Sequence, residues 1–145
     1  MDLSDLSKQD RIEKFESDID QIKNEIKNAD DKLKSAKNVL GIGEWRLAYG
    51  SAYEAMLHAG RALMFSKGYR TKGSHHHETV VLFVESVFSA KFSTQKEVLA
   101  SFNKARKLRN DFTYDNADIV SPTQAKTLVG NAEAFVNKAK EILKI

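Results

Sequence analysis

The chain has no cysteine among its 145 residues, which removes disulfides, thiolate metal sites and cysteine nucleophiles. That absence fits a reducing compartment, and the expected localisation is cytoplasmic. A single proline and seven glycines leave few chain breakers, which disfavours a many-stranded sandwich or barrel. No apolar run reaches the roughly 18 residues of a membrane-spanning helix. The opening Met1-Asp2-Leu3-Ser4-Asp5 is acidic rather than basic, so neither a membrane span nor a signal peptide is expected. Phosphate-binding glycine loops are also missing; Gly41-Ile42-Gly43 is only a weak echo of one. What is present, 30% charged and 41% apolar residues, suits a soluble, all-α single domain with its own core.

The net charge of +3 says little about partners, but its distribution says more. Residues 1–38 carry 8 basic and 10 acidic side chains, whereas residues 39–145 carry 15 and 10. Between Lys96 and Arg109 five cations (Lys96, Lys104, Arg106, Lys107, Arg109) face one acid, Glu97. Such a stripe is either a solvated helix face or a phosphate-binding surface.

Hydrophobic periodicity predicts about five antiparallel helices. Ile12, Phe15, Ile19, Ile22, Ile26, Ala29, Leu33, Ala36 and Leu40 alternate at spacings of three and four, predicting one long or once-kinked helix that stops at Gly41. A second helix, about Glu44 to Lys67, has apolar residues around most of its circumference and is the expected central one. After a polar loop, Gly68 to Ser74, a third is expected from His75 to Lys91 and a fourth from Ser93 or Thr94 to Tyr114. Ser121-Pro122-Thr123-Gln124 starts the fifth, with serine at the N-cap, proline at N1 and glutamine at N3. Short connections between such helices make a bundle.

One position breaks the pattern. The apolar seam of the fourth helix reads Val98, Phe102, Ala105, Arg109, Phe112, with a cation where the period asks for core. A guanidinium taken out of water needs an acid or a functional site as partner. Alternatively, Leu108 is the core residue and Arg109 sits on the boundary. On a helix Arg109, Asn110 and Tyr114 fall on one side and can share a polar pocket.

The run Arg106-Lys107-Leu108-Arg109-Asn110-Asp111-Phe112-Thr113-Tyr114-Asp115 resembles the signature helix of the HEPN superfamily, in the branch with an RN-x-x-x-Y pattern. Ala52-Tyr53-Glu54-Ala55-Met56-Leu57-His58-Ala59-Gly60-Arg61-Ala62-Leu63 is similar to that family's "AYYAMFHAARALL" helix. Gly73-Ser74-His75-His76-His77-Glu78-Thr79-Val80-Val81 resembles the histidine-bearing start of its third helix. The resemblance covers roughly residues 30–145 and implies a single HEPN-like bundle over 1–145, with residues 1–28 lengthening the first helix. It implies a homodimer with the arginine motifs of both subunits facing one cleft, and RNA or nucleotide as ligand. Many members are metal-independent endoribonucleases of toxin–antitoxin or antiviral systems, some paired with a nucleotidyltransferase or antitoxin. Others are silent nucleotide- or protein-binding modules, which is the alternative reading here. No cofactor and no metal are implied.

Such chemistry asks the protein only to move protons and to stabilise negative charge while a 2′-hydroxyl attacks its own phosphate. Arginine suits the phosphate and histidine the proton transfers. The chain departs from the nuclease pattern at Tyr114, which stands in the motif histidine's place; a phenol with a reference pKa of about 10 is a poor base at neutral pH. His76 or His77 is then the source of imidazole, unless the His75–His77 run is merely a solvated cluster or a fortuitous metal chelator. His76 aligns better, with Phe83 seven residues on. Arg109, Asn110, Tyr114, His76 and His77 are thus the candidate catalytic set, with Arg106, Lys107 and Arg61 as binding residues. His58, Tyr49, Tyr53 and Trp45 are read as core or interface residues.

Overall fold

The computed structural model describes residues 1–109 and 120–145 in full and residues 110–114 in backbone only. It is a bundle of helices α1 (Leu3–Lys8), α2 (Ile19–Gly41), α3 (Trp45–Ser66), α4 (His76–Phe88), α5 (Lys96–Tyr114) and α6 (Pro122–Leu143). A 3-10 turn, Ser89–Phe92, follows α4, and two short strands, β1 (Ile12–Lys14) and β2 (Tyr69–Thr71), pair antiparallel. No helix among the described residues is long and apolar enough to cross a membrane.

The capping signals operate as the residue types require. At α6 the Ser121 hydroxyl accepts from the Gln124 amide at 3.1 Å, and the Gln124 side chain accepts from the Ser121 amide at 2.8 Å. Asp18 and Gln21 make the same reciprocal pair at α2, at 2.8 and 2.9 Å. That second box corrects the expected first helix. The chain turns helical at Ile19, not Ile12, and residues 1–18 form α1 and β1 instead of extending α2. Ile12 still reaches the core, but from a strand, opposite Thr71. Phe15 packs on Phe65, ring centroids 5.0 Å apart, and the Arg70 guanidinium lies 4.9 Å from the centre of the Phe15 ring. Ile19, 54% exposed, leaves the seam, which runs through Ile26, Ala29, Leu33 and Ala36.

Helix α3 is central, packing against α2, α4, α5 and α6, and twelve of its residues are buried. Its small residues allow the close approach. At Gly60 a Cβ would lie 2.7 Å from Val80 Cγ1 and 3.4 Å from Phe102 Cε2. Alanine is the better helix former by about 1 kcal/mol, but overpacking a full core costs about 1–3 kcal/mol. Val80 is fully buried and stiff at χ1, so it cannot yield cheaply. Gly60→Ala should therefore lower the melting temperature measured by circular dichroism; an unchanged or raised value would contradict the crossing.

Candidate functional site

Helices α3, α4 and α5 converge on an open cleft of about 410 Å³ lined by Arg61, His75, His76, His77, Glu78 and Arg106. The first turn of α4 supplies four of these. His75 holds a left-handed conformation (φ 60°, ψ 41°) at the helix N-cap, and its carbonyl accepts from both the amide and the hydroxyl of Thr79, each at 3.1 Å. Non-glycine residues are uncommon in that region, and here the strain lies at the cleft itself. The next three side chains are each tied down. His76 Nδ1 lies 2.7 Å from the Thr71 hydroxyl, and His77 Nδ1 lies 3.0 Å from the Tyr53 hydroxyl. Glu78 is gripped by Arg11, whose Nε also donates to Thr79 Oγ1 at 3.2 Å. That contact holds the Glu78 carboxyl below its usual range, with burial opposing it.

Helix α5 contributes the cations. Arg106 is braced by two hydrogen bonds to Asn103 Oδ1, at 3.1 and 3.3 Å, and stands 3.6 Å from Glu78. Arg109 lies on the core boundary, its side chain 30% exposed, while Leu108 packs against the core; the boundary alternative is the one realised. Its guanidinium pairs with Glu54 Oε1 at 3.3 Å, and Lys32 takes the other Glu54 oxygen at 2.9 Å. It also sits 5.7 Å from the centre of the Tyr53 ring. Arg109 therefore borders the cleft through Tyr53 rather than lining it. Lys107 is exposed and outside the cleft lining. Arg61 is half-buried, and among the described residues it forms no ion pair, so a cation in the cleft is available to an anion. Asn110 and Tyr114 lie outside the described residues as far as their side chains are concerned.

The electrostatics follow from this crowding. Burial pushes the His77 imidazole below its ordinary value, and the positive charges of Arg61 and Arg109 push the same way. Both effects favour the neutral ring. Burial raises the Tyr53 phenol to about 12, with Arg109 opposing, so it keeps its proton. Among the described residues no group of three histidine, aspartate or glutamate side chains is arranged to hold a metal ion.

Three participants were not legible in the sequence. Tyr53 reads as a core aromatic, and it is one, at 1% exposed, yet its hydroxyl reaches the histidine run. The only available signal was that a buried phenol must find a partner. Arg11 and Glu54 act across 67 and 55 residues of sequence and leave no local trace. His58 is, as its position suggested, a packing residue between helices, its Nδ1 2.7 Å from Glu25.

The comparisons with known proteins agree with this architecture. A UPF0332 protein of Archaeoglobus fulgidus is 27% identical over 122 residues, covering 84% of this chain and 94% of that protein. The HEPN domain family profile matches residues 22–142. With most of its length inside that match, the chain belongs to the HEPN domain family.

Proposed function

We propose that the protein acts on or binds RNA or nucleotide, holding phosphate in the cleft between α3, α4 and α5 and working as a homodimer. The observation that carries the reading is the side-chain set of that cleft. Arg61 enters it with no ion pair among the described residues, Arg106 stands opposite, and beside them lies His77, whose neutral form burial favours. Guanidinium groups suit phosphate by charge and by their paired N–H geometry. HEPN domains are often ribonucleases or nucleotide-related proteins and often dimerise, which is consistent with such a cleft. Cleavage would proceed by attack of the 2′-hydroxyl on the adjacent phosphorus, closing a 2′,3′-cyclic phosphate as the P–O5′ bond breaks. His76 or His77 takes the 2′-hydroxyl proton, the departing 5′-oxygen takes one from solvent, and Arg109 at the edge of the cleft stabilises the developing charge. A toxin–antitoxin or antiviral role, with an antitoxin or nucleotidyltransferase as partner, is the biological setting this activity fits.

The test is a labelled single-stranded RNA titrated with the protein in EDTA, followed by anisotropy and by gel for cleavage. If about three cations meet phosphates, affinity should fall roughly tenfold to twentyfold between about 50 and 200 mM salt. Light scattering should report twice the 16.3 kDa chain mass. No binding and no cleavage at low salt would replace this reading with that of a silent HEPN interaction module that dimerises and holds a protein partner.

A further inference from the structure

Tyr53 is 1% exposed, and among the described residues its hydroxyl has one hydrogen-bond partner, His77 Nδ1, at 3.0 Å. A neutral imidazole carries one N–H and one lone pair, so only one of its nitrogens can accept. If Nδ1 held the proton, it would donate to the phenol oxygen and leave the phenol's own proton buried without an acceptor. The satisfied arrangement is the reverse: Tyr53 O–H donates to Nδ1, and the imidazole proton rests on Nε2.

We infer that Tyr53 is a positioning residue whose hydroxyl locks His77 as the neutral Nε2–H tautomer, so that the cleft holds an imidazole N–H donor rather than a proton acceptor. Given the phosphate-binding reading above, on which this part rests, His77 is a hydrogen-bond donor to a phosphate oxygen beside Arg61 and Arg106. Taking a proton at Nε2 would require His77 to change tautomer and strip the phenol of its acceptor. Proton abstraction from a 2′-hydroxyl then falls to His76, which is exposed and whose Nδ1 is engaged only by the half-buried Thr71 hydroxyl among the described residues. The two neighbouring histidines thus have different roles, His77 in binding and His76 in any proton transfer.

The geometry links both halves of the site. The Tyr53 ring lies 6.0 Å from that of Phe102, which holds it in the core, and carries the Arg109 guanidinium 5.7 Å from its centre. One side chain therefore orients the histidine of α4 while touching the arginine of α5. The charged groups acting on His77 are Arg61, Arg109 and Glu54, and His76 is the neighbouring titratable ring.

Nitrogen-15 histidine correlation spectra of the full chain at pH 7.5 test this, with His77 assigned from its absence in His77→Gln. The expected spectrum has Nε2 protonated and Nδ1 unprotonated. In Tyr53→Phe, which removes one oxygen, the preference should collapse toward a mixture and the His77 protonation midpoint should rise, because the lost hydroxyl stabilised the neutral ring. An Nδ1–H tautomer in the wild type overturns the proposal, and so does a Tyr53→Phe spectrum that keeps the original ratio. Should Tyr53→Phe fail to fold, the wild-type spectrum alone still decides. Labelled-RNA binding by the same sample tests the functional reading separately. The expected tautomer without RNA binding upholds the Tyr53 role and rejects the RNA reading; RNA binding with an Nδ1–H tautomer does the opposite.

Discussion

Arg109→Ala should weaken binding of a short labelled RNA by roughly tenfold to a hundredfold, the range of one charge-assisted hydrogen-bonded contact. Lys107→Ala should weaken it about fivefold or less, because an exposed lysine contributes only a screened, sequence-independent attraction. The difference arises from placement on one helix. Arg109 is boundary-packed against the Tyr53 ring, whereas Lys107 points to water. The fold should tolerate the change, since Glu54 keeps Lys32 at 2.9 Å and is not left without a cation. Glu54→Gln should act in the opposite sense and tighten RNA binding, because it removes one carboxylate that competes with phosphate for Arg109. Anisotropy at fixed low salt measures all three. Equal losses for Arg109→Ala and Lys107→Ala would show that the RNA meets only a general basic surface.

The largest stability effect is expected at Phe102. Its ring is fully buried where three helices meet, 6.0 Å from Tyr53 of α3 and 5.1 Å from Phe135 of α6. Phe135 in turn stacks on Phe92 at 5.3 Å, so the aromatic column continues beyond the site of truncation. Phe102→Ala removes both the burial of a large ring and the contacts around it, which costs about 3–5 kcal/mol. For a chain of this size that corresponds to a melting-temperature drop on the order of 10 °C or more. Thermal unfolding followed by circular dichroism measures it, and a loss under about 1 kcal/mol would mean that the ring's cavity collapses freely. Because Phe102 also braces Tyr53, the variant should disturb the His77 environment even below its melting point.

Much of the fold was legible because it is local. Periodicity along α2, α3 and α6 records which face each helix buries, and the Ser121-Pro122-Gln124 cap is a three-residue signal that acts on its own neighbours. From sequence the first helix reads too long because Ile12 and Phe15 happen to continue the α2 seam at spacings of three and four. Their real partners, Thr71 and Phe65, are more than 45 residues away, and a strand pairing of that range leaves no mark on either segment. The site divides the same way. Arg109 stood out from sequence because a cation interrupted an apolar stripe, and the histidine run stood out by its composition and its family resemblance. What tertiary structure alone decided is which groups meet. Glu54 takes Arg109, Arg11 takes Glu78, and Tyr53 takes His77, each through side chains brought together by tertiary packing. The protonation and tautomer of His77 follow from those contacts, because they depend on burial and on donors that only the assembled bundle supplies.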